Sequence, residues 1–320
     1  MKKKLNIAIQ MDPLEDLNLK GDTTFALAME AQSRNYHLSH FTPNDVFYKS
    51  GKVYAYTKKL NIFFKNGNED FSYEQEKLED LSSYNIILMR QDPPFNLAYI
   101  TATHLLEKIA SKTLVINNPY EVRNAPEKIC VTEFHKIMPR TLISRNLQSI
   151  KNFRKTYKNI IIKPLYGNGG DGVFHIKPND DNFNSIIEMF LKQYKEQFMI
   201  QEYIPEIRNG DKRIILIDGE VVGAVNRVPA KGDSRSNMHV GGTPKKTVLS
   251  KNDLLICKQI SKFLKEKSLF FVGIDVIGKY ITEINVTSPT GLREINKFNK
   301  IKIEKLFWDK LEKKLTYHKT

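Results

Sequence analysis

The chain has 320 residues, 41% of them apolar, which suits about two domains of roughly 150 residues around a substantial core and excludes wholesale disorder. Mean hydropathy is −0.42, and no apolar run approaches the ~18 residues of a membrane span, so no membrane partner is expected. The net charge of +14 admits a nucleic-acid binder or a site for polyanionic small molecules. The two cysteines, Cys130 and Cys257, are spaced for neither a metal clip nor a disulfide framework, which predicts a soluble, reduced, cytoplasmic protein.

Met1-Lys2-Lys3-Lys4 opens like an export signal, but the apolar stretch Leu5–Ile9 is short, is broken by Asn6 and runs into Gln10-Met11-Asp12-Pro13. It reads as a first strand, Asn6–Gln10. Phe25, Ala28, Met29 and Gln32 are at helical spacing and predict a helix over Thr23–Arg34 behind a Thr cap. Next come a strand at His37–Phe41, a Tyr-rich hairpin-like loop around Val53–Tyr56 and a strand at Asn85–Arg90. Ala98, Ala102, Leu105, Leu106 and Ile109 mark a helix before a strand at Thr113–Asn117. Alternation of this kind predicts a small, mostly parallel, helix-covered sheet. Asn118-Pro119 and Ala125-Pro126 break the pattern, which places an N-terminal domain at residues 1–124 and a second region at 125–320.

The second region changes character. Asn159–Lys163 and Val173–Lys177 flank a glycine cluster, a helix is expected around Ile186–Tyr194, and strands follow at Phe198–Tyr203, Arg213–Asp218 and Val221–Arg227. The Asp218-Gly219 turn predicts antiparallel pairing. Residues 229–245 have no periodicity and are rich in Gly, Ser and Asn, which predicts a mobile functional loop. Between Lys297 and Thr320, eight lysines and three acids alternate with Phe298, Ile301, Ile303, Leu306, Phe307 and Leu311, an amphipathic terminal helix whose charge is a solvated face. Only eleven of the fifty basic residues are arginine, five of them from Arg208 onward, and no nucleic-acid motif is present; no nucleic-acid partner is expected.

Gly167-Asn168-Gly169-Gly170-Asp171-Gly172 matches the letters of a dinucleotide fingerprint, but Val173-Phe174-His175-Ile176 behind it is strand-like, where that fingerprint needs a helix. The cluster is a hairpin tip whose N–H groups can close over phosphates, with Lys163 on the incoming strand. Further on, Phe271–Ile277 and Ile281–Val286 are apolar strands that carry Asp275, Glu283 and Asn285 where hydrophobes belong. Burying carboxylates there is costly without a partner, and hard oxygen ligands suit Mg²⁺ together with substrate phosphates. A two-residue turn at Gly278-Lys279 would put Asp275 and Glu283 on opposite faces. A three-residue loop, Gly278-Lys279-Tyr280, puts them opposite each other on one face, with Asn285 two residues further, and is the expected register.

Three stretches then resemble the bacterial glutathione synthetases, which are ATP-grasp ligases: Lys163-Pro164-Leu165 with Gly167 to Gly172, Phe271 to Arg293, and Asp92-Pro93-Pro94-Phe95. Thr282-Glu283-Ile284-Asn285-Val286-Thr287-Ser288-Pro289-Thr290 carries most of the likeness. The resemblance spans essentially the whole chain. It implies an α/β fold of a small parallel-sheet N-terminal domain followed by an ATP-grasp pair with antiparallel sheets. The implied reaction is ATP- and Mg²⁺-dependent ligation of γ-glutamylcysteine with glycine through an acyl phosphate, with Mn²⁺ as an alternative metal and a homotetramer as the usual assembly. By position, Lys128 and Lys163 are the phosphate lysines, Gly167, Gly169 and Gly170 the glycine tip, Gln201, Glu202, Tyr203 and Ile204 the adenine hinge, and Asp211 a ribose contact. Asp275, Glu283 and Asn285 are the implied metal ligands, and Arg213, Arg227 and Arg235 the catalytic arginines. Asp12, Arg90, Ser288, Pro289 and Arg293 are the implied substrate contacts. Departures from the family pattern are Thr243-Pro244 after Gly241-Gly242, Gln91 and Asp171. The rival readings are a ligase with another acid or amine, a nucleotide-binding regulator without turnover, and a basic nucleic-acid binder whose retention on DNA or RNA is salt-dependent.

Overall fold

The computed structural model describes residues 4–233, 235–238 and 241–318. Its first sheet begins with β1 (Asn6–Gln10), whose Ile7 and Ile9 face one layer and Ala8 and Gln10 the other. β2 (His37–Phe41) pairs parallel with β1 on one side; β7 (Ile86–Met89) and then β8 (Leu114–Ile116) follow on the other. Helix α1 (Thr23–Ser33) starts from Asp22, which accepts from the Phe25 N–H at 2.5 Å; Thr23, the expected cap, is buried in the first turn instead. A carboxylate satisfies the orphan N–H groups at that end. Helix α2 (Leu97–Glu107) is capped by Asn96 and crosses the face opposite α1, and short α3 (Pro119–Asn124) follows β8.

The Tyr-rich segment forms more than a loop. β3 (Val46–Lys49) and the 14-residue β4 (Lys52–Lys65) meet at a Ser50-Gly51 turn with φ values of 48° and 84°. β5 (Asn68–Tyr73) and β6 (Lys77–Asp80) pair antiparallel with β4, and β4 joins β2. The parallel core is therefore extended antiparallel into an eight-stranded sheet. A period-2 signal diluted by Lys and Tyr on the outer face hid this extension from the sequence.

The second sheet has the order β11 (Phe174–Ile176), β10 (Ile160–Pro164), β12 (Phe198–Glu202), β9 (Thr141–Ser144), all antiparallel. Helices α4 (Leu147–Tyr157) and α5 (Phe183–Gln193) cover it, and Ile150, Ile162, Phe190 and Phe198 form a core of its own. The third sheet runs β15 (Thr243–Lys246), β14 (Glu220–Val228), β13 (Asp211–Ile217), β16 (Phe271–Ile277), β17 (Tyr280–Asn285). Asp218-Gly219 closes β13 on β14 as expected, with φ values of 52° and 71°. Val228 pairs with Thr243, so the end of the stretch expected to be loop is a strand. Of the connection at 229–242, residues 234, 239 and 240 lie outside the described residues.

Helix α6 (Lys251–Glu266) packs under this sheet behind a capping box of Ser250 and Asp253. Beyond β17, α7 (Leu292–Asn299) ends at Lys300 in the left-handed region. The terminal helix α8 (Ile303–His318) starts later than the charge pattern suggested, because Lys297 and Phe298 belong to α7. It lies on α1: Trp308 is fully buried and its indole N–H donates to the Leu27 carbonyl at 2.8 Å, and Glu312 takes Arg34 at 2.5 Å and Tyr36 at 2.6 Å. Leu306, by contrast, is 39% exposed. The first and third sheets are tied at Asn117, whose amide donates to the carbonyls of Phe271 (2.8 Å) and Val286 (2.7 Å) and accepts from the Phe271 N–H. Among the described residues, no helix is long and apolar enough to cross a membrane. Both cysteines are buried free thiols.

Candidate active site

The second and third sheets face each other across a cleft, and the acidic hairpin forms one wall. The turn between β16 and β17 has two residues, Gly278 and Lys279, with Ile277 paired to Tyr280. Taken alone, this would have put Asp275 and Glu283 on opposite faces. A bulge at Thr282 shifts the register by one, so Asp275 pairs with Glu283 and Gly273 with Asn285. The expected juxtaposition is present, but a bulge produces it in place of a three-residue loop. Bulges re-aim side chains in this way next to functional sites. The Thr282 hydroxyl is held to the Asp275 carbonyl at 3.2 Å.

Four ionised side chains are buried behind that wall. Arg213 on β13 grips Asp275 through Nε–Oδ1 at 2.6 Å and Nη2–Oδ2 at 3.0 Å. Arg227 on β14 reaches Asp275 Oδ2 at 3.0 Å and also pairs with Asp211, which accepts from the Ser236 hydroxyl at 2.7 Å as well. Burial opposes ionisation of Asp275, but Arg213 and Arg227 outweigh it and hold its carboxyl well below the ordinary range. For Asp211 burial wins over Arg227, and its carboxyl is pushed up to about 6. Among the described residues, the buried Oδ1 of Asp211 has no hydrogen-bond partner.

The opposite wall supplies cations and backbone. Lys163 is 7% exposed at the end of β10, and burial pushes its ammonium below the usual lysine value. Lys128 donates to the Gly167 carbonyl at 2.5 Å and stands 3.6 Å from Glu283, which spans the cleft. The glycine tip joins two antiparallel strands, and Gly169, Gly170 and Gly172 take φ values of 65°, 88° and 68° that few other residues adopt. A side chain at Gly170 would meet Arg235 and Asn237 at 3.4 Å, so the tip abuts the 229–242 connection. Arg235 itself pairs with Asp233 at 2.8 Å. At the hinge, Gln201 donates to the Thr141 hydroxyl at 2.9 Å, the Tyr203 N–H reaches the Asn159 carbonyl at 3.0 Å, and His175 stacks on Tyr203 at 3.9 Å.

The cleft is lined by Lys128, Lys163, Gly167, Gly169, Gly170, the hinge Gln201 to Ile204, Asp211, Arg213, Arg227, Arg235, Asp275, Glu283, Asn285, Ser288 and Pro289. The structure does not bring the remaining three candidates to the lining. Arg293 is committed to Glu69 at 2.9 and 3.0 Å. Buried Arg90 donates to Thr24 at 2.9 Å and to the Pro289 carbonyl at 3.2 Å. Asp12 accepts from the Asp92 N–H at 2.9 Å.

The donor set suits a divalent cation. Among the described residues no three His, Cys, Asp or Glu side chains cluster for a metal; the Asn285 amide offers a further oxygen on the face that carries Asp275 and Glu283. Asp275 Oδ1 accepts one hydrogen bond and keeps a lone pair, and the charge partner of Glu283 is no nearer than 3.6 Å. Two carboxylates and an amide are a partial set of hard oxygens of the kind a divalent cation takes together with phosphates.

The family models for the prokaryotic glutathione synthetase N-terminal domain and ATP-grasp domain match residues 5–123 and 127–300. The chain belongs to the prokaryotic glutathione synthetase family. Curated glutathione synthetases of Agrobacterium fabrum and Mesorhizobium japonicum are 52% and 51% identical to it, over 98% and 97% of this chain and 98% and 99% of theirs; that of Buchnera aphidicola subsp. Baizongia pistaciae is 42% identical over 99% and 98%. The fold is shared with solved structures of D-cycloserine synthetase DcsG (TM-score 0.68, 11% identity, 97% of this chain and 99% of that one) and the ATP-grasp ligase PsnB (TM-score 0.63, 13% identity, 98% and 99%). A member of this family is an ATP-dependent ligase that forms glutathione, and ATP-grasp ligases work with a divalent metal.

Within the family fold, sequence reasoning missed Glu127 and Ser236, and gave Asp92 and Thr287 no role. Glu127 lines the cleft, accepts from the Thr287 hydroxyl at 3.1 Å, and takes the Ile284 N–H on its carbonyl at 3.1 Å. Burial, and then Glu283, push its carboxyl up to about 7. Asp92 accepts from the Ser288 hydroxyl. The one available signal was the Glu-Lys pair at 127–128, a carboxylate beside a lysine already singled out.

Proposed function

We propose that this chain joins γ-glutamylcysteine to glycine with Mg²⁺ and ATP, and that the residues of the cleft divide the work. The observation that carries this reading is the opposed Asp275–Glu283 pair, with Asn285 on the same face, across from Lys128 and Lys163. Phosphoryl transfer to a carboxylate is mainly positioning and charge neutralisation. Glu283, Asn285 and Asp275 would hold a divalent cation, which supplies charge neutralisation and orientation for the phosphates. Lys128 and Lys163 take phosphate oxygens, the glycine tip closes backbone N–H groups over them, and Gln201 to Ile204 bound the base.

Arg213 and Arg227 face the transferring group and stabilise negative charge on the acyl phosphate as it forms. One oxygen of the cysteinyl carboxylate bonds to the γ-phosphorus and ADP leaves. The glycine nitrogen then bonds to the carbonyl carbon, phosphate departs with the C–O electron pair, and the amine proton passes to water. Arg235 and Asn237, which stand beside the glycine tip at Gly170, cover the phosphates and keep water from the acyl phosphate. A cytoplasmic homo-oligomer is part of the same reading; light scattering of the purified chain tests the assembly.

The deciding experiment is phosphate release with ATP, Mg²⁺, γ-glutamylcysteine and glycine, each omitted in turn, with the product identified by mass. Release that needs all four, and yields glutathione, is expected. Release that proceeds without glycine, or with a different amine preferred, would replace the substrate assignment and leave the ligase.

A further inference from the structure

An exposed arginine joins the base end of the cleft to its phosphate end. Arg208 sits in the short 3-10 turn Pro205–Asn209, between the hinge residue Ile204 and Asp211. Its Nε donates to the Tyr203 hydroxyl at 3.1 Å, and its Nη1 donates to the Asp233 carbonyl at 2.5 Å. Tyr203 and Arg235 line the cleft, whereas Arg208 stands outside the lining. A planar guanidinium presents its N–H groups as a rigid fork and can hold acceptors on two segments at once, which the point charge of an ammonium does less well.

Both groups that Arg208 holds are fixed further on. The Tyr203 ring stacks on His175 with centroids 3.9 Å apart and planes 11° from parallel, and His175 Nε2 lies 2.7 Å from Asn159 Oδ1. The Tyr203 N–H is on the Asn159 carbonyl at 3.0 Å, so the hydroxyl is a rigid point. On the other side, the Asp233 carboxylate takes the Arg235 backbone N–H at 2.8 Å and Arg235 Nη2 at 2.8 Å. Ser236 donates to Asp211 at 2.7 Å, and Arg227 Nη1 donates to Asn237 Oδ1 at 3.3 Å. Asp233, Arg235, Ser236 and Asn237 thus lead from the hinge to the buried arginine, and Arg208 anchors the hinge end. An exposed contact of this kind adds little to folding. What it sets is where Arg235 stands beside Gly170.

Resting on the function proposed above, we propose that Arg208 is a positioning residue: by clipping Asp233 to the Tyr203 hydroxyl it fixes Arg235 over the phosphates of a bound nucleoside triphosphate and so keeps water from the acyl phosphate. Without the clip, water reaches the intermediate. The water oxygen then bonds to the carbonyl carbon, phosphate departs with the C–O electron pair, a water proton passes to solvent, and the dipeptide is regenerated. ATP is consumed and no glutathione forms.

Arg208→Gln, Tyr203→Phe and the double variant are compared with the wild-type chain for phosphate released per glutathione formed, at saturating ATP, Mg²⁺, γ-glutamylcysteine and glycine. Wild type is expected to release the two in equal amounts. Each single variant should raise the ratio about threefold, and the double variant no further than the larger of the two, because both changes break the Tyr203–Arg208 bond. Arg208→Lys, which keeps the charge and loses the fork, should resemble Arg208→Gln more than wild type. The ratio separates placement from folding, since a chain that is merely less stable loses both products together. Equal phosphate and glutathione in Arg208→Gln would overturn the proposal. So would single effects that multiply in the double variant, because Arg208 and Tyr203 would then act separately. A wild-type chain that forms no glutathione is a different outcome: it defeats the functional reading, and the proposal falls with it.

Discussion

Arg213 and Arg227 converge on one buried carboxylate, Asp275, and Oδ2 of that carboxylate takes a 3.0 Å contact from each guanidinium. Removing one partner of a buried ion pair leaves charge uncompensated, at a cost of about 3–5 kcal/mol. Asp275→Asn should therefore lower stability by about that amount as well as abolish turnover. Urea unfolding of the purified variant reads the first effect and phosphate release the second. Wild-type stability would mean that the two arginines are neutralised by another group.

Glu283 separates chemistry from folding. Its side chain is 24% exposed, and its ion pair with Lys128 is loose at 3.6 Å. Glu283→Gln should cut turnover by orders of magnitude while unfolding stays within about 1 kcal/mol of wild type. Undiminished turnover at saturating Mg²⁺ would end its assignment as a metal ligand.

Glu127 makes stability depend on pH. Its carboxyl is raised in the folded chain from 4.5 to about 7, so the folded state retains a proton that the unfolded chain has lost. The favourable term is fully present below about pH 4.5 and is lost as pH rises to about 7. Glu127→Gln has no such proton. In metal-free buffer the stability of the variant minus that of wild type should rise by about 2–3 kcal/mol across this window and level off above it. A difference that stays flat from pH 4.5 to 8 would contradict the raised carboxyl.

Gly242 allows the 229–242 connection to return to the sheet. A Cβ there would lie 1.9 Å from the Ser236 carbonyl oxygen, and Ser236 in turn holds Asp211 at 2.7 Å. Gly242→Ala should displace that segment, costing about 1–3 kcal/mol and loosening Asp211. The expected readout is a raised KM for ATP, with the dipeptide KM changed less. An unaltered KM for ATP would show that Asp211 is placed without this contact.

Much of this protein was legible in the residues themselves. Alternating apolar runs located β1, β2, β7, β8 and the strands flanking the glycine tip, because side-chain period and turn residues are local properties. The oxygens of Asp275, Glu283 and Asn285 stood out because carboxylates within apolar strands need partners. Tertiary structure decided what locality cannot. The register that opposes Asp275 to Glu283 came from a bulge at Thr282, and the letters of the turn alone gave no sign of it. Arg293 and Arg90 stand close in sequence to site residues, yet packing turns the first to Glu69 and buries the second under Pro289. Glu127 had only the lysine after it as a signal, since an acid before a lysine is ordinary until the fold sets it against the Thr287 hydroxyl in the cleft, where burial and Glu283 raise its carboxyl. Patterns along the chain specify elements; the environment of a charge depends on residues far apart in sequence, and only the packed chain defines it.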